Sequence, residues 1–323
     1  MKIRNAVVVV TGASSGIGRA TAELLARRGA TVVAASRRRA ALEALAAEMG
    51  DARGEVVSVP TDVTDPEQVE QLARQTVQRF GRIDGWVNAA AVSVFGRLDE
   101  VPLDDFRRVL DVNVMGYVHG ARAALPVFAE QKHGVLVNVA SIVGVVPQPY
   151  TSSYSLSKAA IRSLSTSIRS ELTLRGLTKV RVSTVLPPTI DTPFFAHAAN
   201  YTGRAVRAMP PVYPPTMVAQ AIVEQLEKPR REVVVGRIGR ALVKQHAKHP
   251  AAVEKQMAAQ VETSHLSPVR GSAPTSGNLY QPLGGVGSID GGWAGTPKTR
   301  ARAVLGAAAL VGAGYLVARG LRR

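Results

Sequence analysis

Two side chains four positions apart, Tyr154 and Lys158, are equipped for proton chemistry. On a helix that spacing puts both on one face. A phenol is a poor acid–base near neutral pH, with a reference pKa of about 10, and a neighbouring ammonium favours its phenolate and draws the value down. A second feature is the run Thr11-Gly12-Ala13-Ser14-Ser15-Gly16-Ile17-Gly18, which follows an apolar stretch over 6–10 and precedes a helix-patterned stretch from Arg19. Glycines at 12, 16 and 18 let the backbone turn sharply and approach a pyrophosphate. The helix N-terminus adds N–H donors and partial positive charge there. A third feature is Arg37-Arg38-Arg39, directly after a strand-like run that ends at Ala35-Ser36. In a dinucleotide-binding fold this place faces the adenosine ribose. A carboxylate would suit the 2′-hydroxyl of NAD, whereas arginine suits a 2′-phosphate, which it holds bidentately. No acid occupies 36–39, so Arg37 and Arg38 point to NADP(H) as cofactor, with Arg39 expected to face solvent.

The elements that must position these groups are legible as alternation. Short Val-rich runs at 6–10, 31–35, 55–59, 85–88, 134–139, 180–186 and 232–236 read as buried strands. Helix-patterned stretches lie between them at 19–28, 38–49, 66–80, 103–128, 153–175 and 216–227, and four of these end at a glycine (Gly29, Gly50, Gly81, Gly176). Glycine just past the last turn is a helix stop. The pattern predicts an α/β fold: a Rossmann-like, doubly wound, parallel seven-stranded sheet with helices on both faces. Residues 1–240 are expected to form one NADP(H)-binding catalytic domain. Residues 241–265 read as a helical extension broken at Pro250, and 266–299, rich in Ser, Gly, Pro and Thr, as a flexible linker. The stretch 191–215, with Phe194, Phe195, His197, Tyr201, Met209 and Tyr213, reads as a substrate lid. Its apolar and aromatic content suggests a hydrophobic substrate.

Composition bounds the remaining choices. A chain of 323 residues, 46% hydrophobic and 20% charged, can bury a sizeable core and is neither disordered throughout nor a polytopic membrane protein. It has no cysteine, which excludes disulfides, cysteine-ligated zinc, iron–sulfur clusters and thiol catalysis. The six histidines suggest no metal site. Of the net charge of +16, residues 229–323 carry +10, from 14 Lys/Arg against four Asp/Glu. Such a basic end suits an anionic partner. It lacks a nucleic-acid motif or interleaved aromatics, so no nucleic acid is expected. Residues 300–323 hold 16 uncharged positions, 303–318, between Arg300 and Arg302 on one side and Arg319, Arg322 and Arg323 on the other. As a helix this run spans about 24 Å against a hydrocarbon core of about 30 Å. Snorkelling arginines narrow the gap, so the tail is a candidate membrane anchor on a cytoplasmic catalytic domain.

Taken together, Thr11–Gly18, Asp62-Val63, Asn88-Ala89-Ala90-Ala91, Asn113, Ser141, Tyr154-Ser155-Leu156-Ser157-Lys158 and the region 186–192 resemble the classical short-chain dehydrogenase/reductase family over about residues 3–240. Two departures stand out: AsnAlaAlaAla in place of the family's AsnAsnAlaGly, and Pro187-Pro188 in place of ProGly. The resemblance implies hydride transfer between the nicotinamide of NADP(H) and a carbonyl or secondary alcohol, with Asn113, Ser141, Tyr154 and Lys158 catalytic. Tyr154 would be the acid–base. Lys158 would also hold the nicotinamide ribose, Ser141 would bond the substrate oxygen, and Asn113 would hold a water on the proton path. For the cofactor it implies Gly12, Ser14, Ser15, Gly16, Ile17 and Gly18 at the phosphates, and Arg37 and Arg38 at the 2′-phosphate. Asp62 and Val63 would meet the adenine, Asn88, Ala89 and Ala90 the adenosine ribose through backbone contacts, and Pro187, Ile190 and Thr192 the nicotinamide. It also implies a homo-oligomer. The competing reading is a catalytically idle cofactor-binding scaffold or redox sensor with a basic, partner-binding tail.

Overall fold

In the computed structural model, which describes residues 1–293, the strand Val7–Thr11 (β1) is buried at every position. A strand covered on both faces must be. The chain continues through α1 (Gly16–Arg27), β2 (Thr31–Ser36), α2 (Arg39–Glu48), β3 (Glu55–Pro60), α3 (Pro66–Phe80) and β4 (Gly85–Asn88). The short strand β5 (Val94–Phe95), α4 (Leu103–Leu110), α5 (Gly116–Gln131), β6 (Gly134–Val139), α6 (Ser152–Leu174) and β7 (Val180–Leu186) follow. Beyond them come α7 (Phe194–His197), β8 (Ala199–Asn200), β9 (Arg204–Val206), α8 (Pro215–Glu227), β10 (Glu232–Val234), α9 (Arg237–Lys248), α10 (Pro250–Gln260) and β11 (Leu266–Arg270). Local chemistry sets several boundaries. Asp65 caps α3 by accepting from the N–H groups of Glu67 and Gln68, Pro66 takes its first turn, and Gly81 ends it at φ 74°.

The seven-stranded sheet has the order β10-β7-β6-β4-β1-β2-β3, with all neighbours parallel. Its order reverses between β1 and β4, and the carboxyl ends there open a crevice. One face packs Leu25, Leu45, Ile222 and Leu226 against Val8 and Val10; the other packs Leu72, Trp86, Phe128 and Leu172 against Val9 and Val33. Each such burial contributes about 1.5–3 kcal/mol, so the strands below the crevice are rigid supports.

Three expectations change. The helix expected over 103–128 is divided: a π turn, Asp111–Met115, separates α4 from α5. The wider turn sets Asn113 inward, where its amide is fully satisfied by the Val92 N–H and carbonyl, both 2.9 Å away, and by Ser157 Oγ at 3.1 Å. The extension starts at Arg237 rather than 241, and its Leu242, Val253, Met257 and Val261 form a separate core with Val146 and Met209. The linker reading of 266–299 does not hold over 266–293. Leu266–Arg270 pairs antiparallel with β9, and the residues after it lie across the crevice. Residues 294–299 and the tail 300–323 lie outside the described residues. Among the described residues no helix is long and apolar enough to cross a membrane.

Candidate active site

The glycine turn is built by close approach. A Cβ at Gly12, whose φ is +73°, would come within 2.7 Å of the Ala90 Cα, and one at Gly18 would strike the Gly12 carbonyl. The floor of the crevice is therefore bare backbone at the N-terminus of α1. Ser15 sits at the cap position without a side-chain cap bond. Ser14 instead receives Arg38, which donates from Nε to the hydroxyl (3.2 Å) and from Nη2 to the carbonyl (3.0 Å). Ala89, Ala90 and Ala91 demand no left-handed backbone: among the described residues the non-glycine positions at positive φ are Asn5, Lys132 and Tyr150.

At the other end of the crevice, Lys158 Nζ is buried and donates to the Val139 carbonyl at 2.9 Å and to the Tyr117 hydroxyl at 3.3 Å. It lies 5.5 Å from the centre of the Tyr154 ring. Burial lowers its pKa from 10.5 to about 7. Burial also raises the Tyr154 phenol well above 10, with a hydrogen bond to Ser141 pulling the other way. For the phenol, burial outweighs the hydrogen bond with Ser141. Ser141 Oγ donates to the Pro187 carbonyl at 3.3 Å and caps the short turn that follows by accepting from the Val143 N–H.

One cavity joins the two ends. Gly12, Ser14, Ser15, Gly16, Ile17, Gly18, Arg37, Arg38, Asp62, Val63, Ala89, Ala90, Ser141, Tyr154, Lys158, Pro187, Ile190 and Thr192 all line it. The side-chain amides of two further expected residues are engaged within the protein. Asn88 is fully buried within the sheet, accepting from Trp86 Nε1 (2.9 Å) and donating to Asn138 Oδ1 (2.9 Å). Its side-chain amide ties strands together. Asn113 is spent on Val92 and Ser157, so both its side-chain donors are committed.

A family model described as short chain dehydrogenase matches residues 6–201. The chain is 37% identical over 260 residues to an uncharacterised oxidoreductase of Bacillus subtilis (strain 168), YxnA, covering 79% of this chain and 72% of that one. It is 36% identical over 224 residues to an uncharacterised oxidoreductase of Staphylococcus aureus (strain USA300), covering 69% and 92%. Among solved structures it is similar to a short-chain dehydrogenase/reductase from Burkholderia phymatum in complex with NAD, at TM-score 0.71 and 29% identity over 79% of this chain and 97% of that one. An alcohol dehydrogenase from Thermococcus sibiricus complexed with 5-hydroxy-NADP gives TM-score 0.62 and 28% identity over 72% and 96%.

The chain belongs to the short-chain dehydrogenase/reductase family. The family is one of oxidoreductases, and the two similar solved structures carry NAD and 5-hydroxy-NADP. Within that frame, several side chains of this family member were not anticipated. Tyr117, buried on α5, fixes Lys158 and donates its own proton to the Val139 carbonyl at 2.8 Å. Arg108, on α4, reaches Thr64 Oγ1 (3.0 Å) and Asp62 Oδ2 (3.4 Å) at the end of the crevice that Arg37 lines. Burial pushes Asp62 up, but hydrogen bonds from Thr64 and the charges of Arg108 and Arg37 outweigh it and hold the carboxyl below its usual value. His265, from the extension, lines the same cavity against Phe95 and Phe195, its Nδ1 on the Arg207 carbonyl. Burial lowers it to about 4, so it is neutral. No sequence motif marks these residues, because each acts through partners distant in the chain. Of the expected lid, Phe194, Phe195, His197, Met209 and Tyr213 line the cavity, with Phe194 5.3 Å from the Tyr154 ring. Tyr201 turns away and donates to Asp105 at 2.5 Å.

Proposed function

We propose that the protein is an NADP(H)-dependent oxidoreductase that interconverts a carbonyl and a secondary alcohol on a hydrophobic substrate. The observation that carries this reading is the continuous wall from Arg37 and Arg38, past the glycine turn, to Ser141, Tyr154 and Lys158. The bare backbone at Gly12 and Gly18 fits a pyrophosphate, which needs N–H donors at close range and no intervening side chain. When bound, the dinucleotide supplies or takes up the hydride at the substrate carbon. The chain's own groups handle the proton. Burial keeps the Tyr154 phenol protonated, so in reduction it donates to the carbonyl oxygen. Ser141, by turning its hydroxyl away from the Pro187 carbonyl, offers it to the same oxygen. Lys158, its pKa lowered by burial, lies beside the ring, and its protonated form stabilises the phenolate that remains. Asn113 serves as a positioning residue that holds the Val92 backbone and Ser157 in register with the site.

Two arginines at the end of β2 support the phosphorylated cofactor. The carboxylate that acts on Arg37, Asp62, is shared with Arg108, which leaves net positive charge for a 2′-phosphate. Phe194, Phe195, Met209, Leu242 and Met257 around Tyr154 support an apolar substrate. The catalytic groups lie within residues 1–240 of a cytoplasmic, homo-oligomeric protein, and the extension adds Leu242, Met257 and His265 to the cavity wall. The uncharged run 303–318 between arginines supports a membrane contact of the tail. The deciding experiment is an NADPH-oxidation screen over aldehydes, long-chain ketones, ketosteroids and quinones with wild type and Tyr154→Phe. Turnover by wild type alone is expected; equal turnover by Tyr154→Phe overturns the mechanism. For the tail, removal of residues 300–323 is expected to move the protein from the membrane to the soluble fraction. A full-length chain that is wholly soluble without detergent refutes the membrane contact.

A further inference from the structure

We infer that residues 275–293 form a strap that completes the dinucleotide site, with the Asn278 amide bonding directly to the bound cofactor; this rests on the dinucleotide reading above. The strap has little regular structure, so its carbonyls need donors from elsewhere. They find them on the crevice. Arg37 donates to the carbonyls of Asn278 (2.7 Å), Leu279 (3.2 Å) and Tyr280 (2.8 Å). Farther along, Gly16, in the phosphate-binding turn, donates its N–H to the Ser288 carbonyl at 2.8 Å, and Arg19 donates to Val286 at 2.9 Å. Finally Asp191 accepts from the N–H groups of Gly291 (3.0 Å) and Trp293 (2.8 Å), while Trp293 Nε1 donates to the Thr192 carbonyl at 3.1 Å. The strap therefore meets the adenosine end, the phosphate turn and the nicotinamide end in that order, which is the path of an extended dinucleotide.

It borders this path at its first residues and lies on it at the glycine turn, where the Ser288 carbonyl takes the Gly16 N–H until the strap lifts. Asn278, Pro282 and Leu283 line the same cavity as Gly12, Arg38 and Tyr154. The contact is backbone on backbone at two glycines: a Cβ at Gly287 would strike the Ser14 carbonyl, and one at Gly291 the Thr192 carbonyl. Leu279 anchors the strap in the core, fully buried, and the Tyr280 hydroxyl donates to Asp105 at 2.9 Å. What points to a ligand is Asn278 itself. Its Oδ1 is buried and has no hydrogen-bond partner. An orphaned buried acceptor is costly unless something satisfies it. A dinucleotide in this cavity brings hydroxyl and amino donors to it. Because the strap lies over the crevice, it must also lift for the cofactor to enter or leave.

The test uses the full-length protein, with NADPH affinity from fluorescence titration and NADPH release from stopped-flow displacement. Asn278→Ala is expected to weaken NADPH about threefold to tenfold, the loss of one neutral hydrogen bond. Gly287→Val, which forces the strap off the phosphate turn, is expected to speed NADPH release by about tenfold or more. Independently of any variant, NADPH is expected to slow hydrogen exchange of the amides over 278–293 in wild type. If wild type binds NADPH, both variants match it in affinity and release, and exchange over 278–293 is unchanged, the strap is not part of the site. If wild type binds no nicotinamide dinucleotide, the reading of the crevice falls and the strap's role falls with it.

Discussion

Replacing Lys158 by methionine is expected to stabilise the ligand-free protein at neutral pH while abolishing its chemistry. Burial lowers this lysine from 10.5 to about 7. Below pH 7 it is protonated both folded and unfolded, and the folded chain bears the full cost of the buried charge, about 5 kcal/mol for such a difference. Methionine has similar volume and no charge. It forfeits the bonds to the Val139 carbonyl and the Tyr117 hydroxyl, about 1 kcal/mol each. The Val139 carbonyl keeps its bond from Tyr117 and is not orphaned. The net gain is about 3 kcal/mol at pH 6. Between about 7 and 10.5 the unfolded lysine binds a proton that the folded lysine does not, so wild-type stability climbs with pH through that window. The advantage of Lys158→Met therefore shrinks as pH rises and becomes a small loss near pH 10. Urea unfolding of both proteins at pH 6, 8 and 10 measures this. Parallel pH profiles for the two would refute the argument, because they would mean that Lys158 keeps an ordinary pKa in the folded state. The same variant is expected to lose about a hundredfold or more in kcat.

The remaining predictions probe separate parts of the site. Arg38→Ala spares Arg37, which holds the strap, and is expected to raise the Kd for NADPH about tenfold to a hundredfold by loss of a charged hydrogen bond. The Kd for NADH should change by about threefold or less; equal losses for the two would argue against a 2′-phosphate contact. Asn88→Ala leaves the buried Trp86 N–H and Asn138 Oδ1 unpaired and is expected to cost about 3 kcal/mol in urea unfolding, with the cofactor KM unchanged. A raised KM with intact stability would restore Asn88 to the cofactor site. Gly18→Ala drives a methyl into the Gly12 carbonyl and is expected to remove detectable dinucleotide binding, which titration would show.

The parallel strands and the helices between them were legible because each strand is covered on both faces and must be a continuous apolar run, while each helix must show one apolar stripe. Tyr154 and Lys158 were legible for a similar reason, since four-residue spacing on a helix is itself geometry. The glycine turn could be read because only glycine permits the approach of Gly12 to Ala90 and of Gly18 to Gly12. Asn88 could not be placed, because a short polar side chain in a strand can serve a cofactor or a buried network, and pleat direction decides which. The π turn at Asp111–Met115 arises from the fit of Asn113 to Val92, a contact that no local pattern encodes. The segment after 270 was the hardest to read. Composition made it a linker, and its Gly, Ser and Pro content does disfavour helix and sheet. Yet it is held by backbone carbonyls that accept from arginines more than 200 residues away, Arg37 and Arg19. Any residue type offers that carbonyl, so the sequence determined which groups could do the chemistry, and only the folded chain decided what closes over them.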